Sequence, residues 1–165
     1  WLLGGGETLF DYKDYRKDFF SEMQKLGLKE GEDVFILGNV SDDLIPDLYN
    51  AGDVFVFPSI KEGWGLVVLE AMASRLPVVA SDIKPLKEFL EDGMNSLLVS
   101  PLDFNSLAQS IIRIMEDDEL NKTLRAGGIK TASKYSWENA ARDHLDIYEE
   151  IINKSMGITS AADKG

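Results

Sequence analysis

Short runs of β-branched and aromatic residues alternate along this chain with longer stretches in which apolar residues recur every three or four positions. The short runs predict strands over 1–3, 33–37 ("DVFIL"), 54–57 ("VFVF"), 77–80 ("PVVA") and 96–99 ("SLLV"). The recurring stretches predict helices over about 12–26, 44–51 and 66–74, with a shorter one over 85–90. Strands this short, apolar on both faces and separated by helices, belong in a parallel sheet covered on two sides, so the fold class is α/β, doubly wound. After Pro101 the strands stop. Three helices are predicted there: 104–115 behind the cap candidate Asp103, 119 to about 134, and 137–152 behind Ser136, with the acidic run "MEDDE" as a solvated turn between helices.

Composition narrows the function classes. Of 165 residues, 44% are hydrophobic and 28% charged, which is ordinary for one soluble globular domain and excludes disorder as the main state. A formal charge of -12 without any Lys/Arg-rich run repels phosphate backbones, so nucleic acid is not an expected partner. The absence of cysteine removes disulfides and thiolate metal sites and fits a reducing compartment. With one histidine, no transition-metal cluster is expected either. No apolar run reaches the length of a membrane span. The chain opens inside a strand, "WLLGGG", without Met, and is expected to be a fragment of something longer; "SMGITSAADKG" reads as a loose terminus.

In doubly wound sheets ligands bind beyond the carboxyl ends of the strands. Three loops lie there: residues 4–7 ("GGGE"), 38–43 ("GNVSDD") and 58–65 ("PSIKEGWG"). In the third, Gly63 and Gly65 bracket the start of a helix, offering free backbone amides and the positive end of a dipole, a ready place for a phosphate. The helix itself, "WGLVVLEAMA", is the most apolar in the chain and carries one carboxylate, Glu70, in its middle. A carboxylate in an apolar setting needs a partner. A ribose diol would serve, and so would a buried backbone or Arg group. Glu62, in the loop, is either a second ligand to the same crevice or a solvated loop acid.

The stretch "DVFVFPSIKEGWGLVVLEAMASRLPVVASD", residues 53–82, resembles the signature of retaining GT-B glycosyltransferases of family 4, the glycosyl transferases group 1 domain. That signature is a Pro-Ser loop, a Glu, seven residues, a second Glu, then Ala-Met-Ala and a Pro-Val-Val strand. "LLGGGE" resembles the family's glycine loop, "VFILGNVSDDLIPDLYNAGD" its base-binding strand and helix, and "FLEDGMNSLLVSPLDFNSLAQSI" its closing strand and helix. The resemblance implies a Rossmann-like donor-binding domain over 1–153, the carboxyl-terminal half of a GT-B fold with extra helices, and a loose tail over 154–165. The substrate it implies is a nucleotide diphosphate sugar, with neither cofactor nor divalent metal. Glu70 would bind the ribose hydroxyls, and Glu62, the catalytic candidate, would contact donor-sugar hydroxyls near the reacting carbon. Backbone amides of Trp64, Gly65 and Leu66 would hold the pyrophosphate or sugar, with Gly63 beside them. Val40, Asp42 and Leu44 would edge the base pocket, and Gly4 and Gly5 would line the glycine loop. Hexosyl transfer would proceed with retention by a front-face route in which the leaving phosphate helps deprotonate the acceptor, so that catalysis is largely positioning and leaving-group stabilisation.

Three departures from that pattern stand out. The family's pyrophosphate-clamping Arg and Lys fall before the first residue. The resemblance also implies an amino-terminal domain that binds a sugar, lipid or protein acceptor, expected outside these residues, so the isolated fragment is expected to be inactive, with peripheral membrane association expected of the full-length protein. Arg75 stands where the family has Gly, at a left-handed helix terminus where a side chain costs about 1 kcal/mol. Among other features, His144 reads as a surface or packing residue, Trp137 as an anchor for the last helix, and Trp64 as packing beside the phosphate loop. Use of a nucleotide sugar and the absence of cysteine imply the cytoplasm. Two other readings compete: a sugar-nucleotide epimerase or hydrolase of the same architecture, and a catalytically silent nucleotide-binding module.

Overall fold

The structure is a computed structural model and describes residues 1–4 and 16–155. The chain forms two compact units, Trp1–Gly52 and Asp53–Gly165. In the first, strand β1 (Leu2–Gly4) runs parallel to β2 (Phe35–Gly38), pairing Leu2 with Phe35 and, after a register shift, Gly4 with Gly38. Helix α1 (Arg16–Lys25) precedes β2. It ends where Gly27, at φ 71°, takes a left-handed turn, with the amides of Gly27 and Leu28 donating to the carbonyls of Gln24 and Met23. The expected start of this helix, 12–15, lies outside the described residues. β2 begins later than expected because Asp33 belongs to a turn, its carboxylate accepting from the Lys29 amide at 2.9 Å. A 3-10 turn (Asp42–Leu44) and helix α2 (Ile45–Ala51) follow, with Pro46 in the first turn of α2. β2 is exposed or half-buried throughout, against the expectation of cover on both faces. A two-stranded sheet offers little area to bury.

The second unit contains β3 (Phe55–Phe57), α3 (Leu66–Ala73), β4 (Val78–Ser81) and β5 (Leu97–Val99), then α4 (Phe104–Glu116), α5 (Asp118–Ala132) and α6 (Trp137–Ser155). The sheet order is β3-β4-β5, all parallel, with Val56 opposite Val79 and Ala80 opposite Leu98. This is the parallel α/β pattern that the alternating sequence predicts. Central β4 is buried at every residue, and edge strand β3 is half-buried. Val79, Leu97, Val99, Ile114 and Leu124 form the core beneath α4 and α5, each large side chain contributing roughly 1.5–3 kcal/mol by leaving water.

The helix expected over 85–90 is only a 3-10 turn, Leu86–Glu88. Buried Asn95 stops it: its Oδ1 accepts from the Glu91 amide, and its Nδ2 donates to the Phe89 carbonyl and the Thr131 hydroxyl, each at 2.8 Å. The "MEDDE" run is mostly helical. α4 continues through Glu116, and Asp117 alone links it to α5 while capping that helix by accepting from the Leu120 amide. Asp118 and Glu119 then sit in the first turn of α5, where the dipole favours acids. α5 packs along α3 at Gly128 and against the 94–95 turn at Gly127. A Cβ on Gly128 would lie 3.2 Å from Met72 Cγ, and one on Gly127 only 2.1 Å from the Met94 carbonyl oxygen.

A further 3-10 turn, Ser133–Tyr135, leads to α6, which buries no residue. Trp137 is 87% exposed, so it is not the anchor expected of it; the Ser136 hydroxyl does cap the helix, accepting from the Asn139 amide at 3.1 Å. Most of the expected tail lies outside the described residues, α6 reaching Ser155.

Two measurements check this description. Gly127→Ala should lower the urea midpoint by the equivalent of about 1–3 kcal/mol, because the obstacle is backbone and cannot rotate away. Asp103 accepts from the Ser106 amide at 3.0 Å and from its hydroxyl at 2.7 Å, the amide bond chiefly holding its carboxyl below the usual range. A depressed folded pKa stabilises above the unfolded value and is lost as pH falls through the folded one. Asp103→Ala should therefore melt below the parent at neutral pH, the gap closing only once the pH is below the ordinary aspartate value of about 3.9.

Candidate functional site

The loop 58–65 leaves the carboxyl end of β3, and two local bonds shape it. The Ser59 hydroxyl donates to the Lys61 carbonyl at 3.0 Å, and the Gly63 amide donates to Glu62 Oε1 at 2.9 Å. The loop becomes helix at Gly65, whose φ of 89° and ψ of 46° put it in the left-handed region. A Cβ there would lie 2.6 Å from the Leu86 Cδ2 methyl, which would have to shift, and the backbone angle itself favours glycine. A glycine cap has no side chain to offer the first turn of α3, and that turn presents its amides and the positive end of the helix dipole at the loop.

Glu70 does not lie in an apolar setting. α3 buries Val68, Leu69, Ala71 and Met72, while Leu66, Val67, Glu70 and Ala73 are exposed. The helical period places Glu70 one turn beyond Leu66 on the open flank, so the low polarity of the sequence around it misreported its surroundings. Glu62 is half-buried, and Gly63 is exposed with open space beyond its Cα. Glu62, Gly63, Trp64, Gly65, Leu66 and Glu70 thus occupy one continuous loop and helix flank.

Trp64 packs against Phe89 and Tyr135, ring centroids 5.4 and 5.7 Å away, and those two rings lie 5.9 Å apart. Sequence reading missed Phe89 and Tyr135, since they come from distant segments and no spacing links them. The sequence reading put its anchor on Trp137, whereas the packed ring is Tyr135, two residues earlier. At the other end of α3, Arg75 has a φ of 65°, the left-handed terminus expected of it. The amides of Arg75 and Leu76 donate to the carbonyls of Met72 and Ala71, closing a Schellman motif, and the Arg75 carbonyl accepts from Arg125 Nη1 at 2.9 Å.

The remaining candidates fall in the first unit. Gly4 ends β1 opposite Gly38, the last residue of β2. Gly5 lies outside the described residues. Val40 is half-buried, Asp42 and Leu44 are exposed, and the latter two span the 3-10 turn that the Leu44 amide closes on the Ser41 carbonyl at 2.9 Å. His144 is exposed on α6, its Nδ1 2.7 Å from the Ala140 carbonyl and its ring against Tyr148. Among the described residues no three His, Asp or Glu side chains converge as metal ligands would, and no helix is long and apolar enough to cross a membrane. Two open depressions over β5 and α4, lined by residues such as Asp103, Gln109 and Arg113, include no residue of the 58–65 loop.

Residues 3–131 match the family described as Glycosyl transferases group 1. The O-antigen chain mannosyltransferase B of Escherichia coli is 33% identical over 141 residues, covering 86% of this chain and 36% of that protein. Sucrose-phosphate synthase from Thermosynechococcus elongatus superposes with a TM-score of 0.79 at 31% identity, over 93% of this chain and 38% of its own. HepE of Anabaena, solved with UDP-glucose, gives 0.77 at 30% identity, over 92% and 40%. The chain therefore spans between a third and two fifths of the length of these relatives.

Replacing Arg75 by glycine should relieve the left-handed strain. Arg75→Gly is expected to raise the unfolding free energy by about 1 kcal/mol in a denaturant titration.

Proposed function

The chain belongs to the glycosyl transferases group 1 family, and on that premise we propose that it is the donor-binding part of an enzyme that transfers a hexosyl group from a nucleotide diphosphate sugar. The single observation that carries the proposal is the turn into α3: a left-handed glycine cap, a carboxylate just before it and a second one exposed a turn into the helix. An anion site flanked by two carboxylates suits a sugar nucleotide, whose pyrophosphate needs amide donors and whose ribose and sugar hydroxyls need acceptors.

In this reading the amides of Trp64, Gly65 and Leu66 hold the pyrophosphate, with Gly63 allowing close approach. Glu70 accepts from the two ribose hydroxyls, and its exposure is what such a role requires. Glu62 accepts from hydroxyls of the donor sugar near the reacting carbon and sets its orientation; the Gly63 amide bond on Oε1 fixes that carboxylate before substrate arrives. Val40, Asp42 and Leu44 border the base, and Gly4 and Gly5 keep the glycine loop open to the donor.

Bond cleavage leaves charge on the departing diphosphate, where amides and the helix dipole stabilise it without reorganising. The anomeric configuration is retained, with the acceptor entering on the face the diphosphate leaves and losing its proton to a phosphate oxygen. The acceptor, a sugar, lipid or protein, is held by a further domain of the longer protein, the matched segment being 86% of this chain and only 36% of the Escherichia coli relative. Nucleotide-sugar donors place the enzyme in the cytoplasm, with peripheral membrane contact made through that further domain.

Calorimetric titration of the chain with UDP, GDP and ADP, beside Glu70→Gln, tests the site. One nucleotide should bind, and the variant should lose at least about tenfold in affinity, the worth of a charge-assisted hydrogen bond. Equal affinity in the variant, or no binding of any of the three at millimolar concentration, would contradict the reading.

A further inference from the structure

Trp64 is the one side chain between two glycines at the turn into α3. Gly63 meets nothing within 4 Å of a built Cβ, and Gly65 adopts a conformation that L side chains rarely take. Neither glycine can hold the loop through a side chain of its own. The course of residues 63–65 depends on where the Trp64 ring is lodged, and it is lodged on Phe89 and Tyr135.

Those two rings differ in how they are held. Phe89 is 5% exposed, and its carbonyl accepts from buried Asn95, whose same amide group donates to Thr131 on α5. Tyr135 stands one turn past Thr131, in the 3-10 turn that closes α5, and is 43% exposed. It closes the three-ring cluster from the solvent side, in edge contact with both Trp64 and Phe89 at interplanar angles of 69° and 64°. Edge-to-face pairs at such distances attract beyond their burial.

We propose that Tyr135 is a positioning residue for the donor loop: by clamping Trp64 onto the Asn95-braced Phe89 it holds the backbone of 63–66 in the conformation that presents amides to an anion. The clamp stands on geometry alone; its consequence for ligands rests on the donor-site reading above. Because Tyr135 is well exposed, its removal opens the cluster to water without leaving a sealed cavity in the core.

The test compares Tyr135→Ala and Tyr135→Phe with the parent chain. Without nucleotide, hydrogen exchange of the Gly63 and Val68 amides, which donate to Glu62 Oε1 and to the Gly65 carbonyl and so report the turn, should quicken by about tenfold in Tyr135→Ala, two lost ring contacts being worth about that factor. Exchange in the α5 segment 124–131 should not change, and Tyr135→Phe, which keeps the ring, should match the parent throughout. Unchanged exchange at Gly63 and Val68, or an equal rise throughout α3 and α5, overturns the clamp. In titrations with UDP, GDP and ADP, whichever the parent binds should bind about tenfold more weakly to Tyr135→Ala and normally to Tyr135→Phe. Loosened amides with unaltered affinity overturn the positioning role. Failure of the parent to bind any of the three, or of Glu70→Gln to weaken binding, falls on the donor-site reading, and the exchange experiment still decides the clamp.

Discussion

Gly65 is the constraint from which the site follows. At φ 89°, with Leu86 Cδ2 2.6 Å from where a side chain would begin, Gly65 lets the chain turn from the β3 loop into α3. That turn sets the phase of the helix. With the phase fixed, Val68, Leu69 and Met72 go inward and Glu70 goes outward. The same turn aims the first amides of α3 along the loop that carries Glu62. A residue with a Cβ at this position would carry the left-handed backbone strain and would push the Leu86 side-chain methyl aside.

Around this turn the structure is braced by glycines and one buried amide, where a larger protein core would use bulk. Gly127 and Gly128 let α5 approach Met94 and Met72 closely, and Asn95 ties α5 to the segment carrying Phe89 with every polar atom of its side chain engaged. Phe89 in turn seats Trp64. The site is thus built on rigid neighbours although it lies in a loop, as a site that acts by positioning must be. α6 differs in kind. It buries nothing and leaves Trp137, Leu145, Tyr148 and Ile151 exposed.

Periodicity and turn chemistry made most of this architecture legible. The alternation of short apolar runs with helical stretches placed the five strands of the described residues within a few positions, and Asp103 and Ser136 marked their helices because capping is a local interaction. The left-handed terminus at Arg75 was legible only through the resemblance, whose pattern has glycine at that position. What failed needed tertiary information. The exposure of Glu70 depends on which flank of α3 meets the core, and an apolar sequence does not say which. The short turn at Leu86–Glu88 depends on Asn95 intercepting the Glu91 amide. The partners of Trp64 come from two distant segments, and Tyr135 rather than the larger Trp137 proves to be the packed ring.

The most direct measurement of the central claim is amide chemical-shift mapping of the chain with UDP-glucose. The expected result is that the resonances of Gly63, Trp64, Gly65 and Leu66 move together and saturably with those of Glu70, while those of α4 from 104 to 116 stay in place. Shifts confined to α4 and β5, with the 63–66 amides unmoved, would contradict a donor site at the turn into α3.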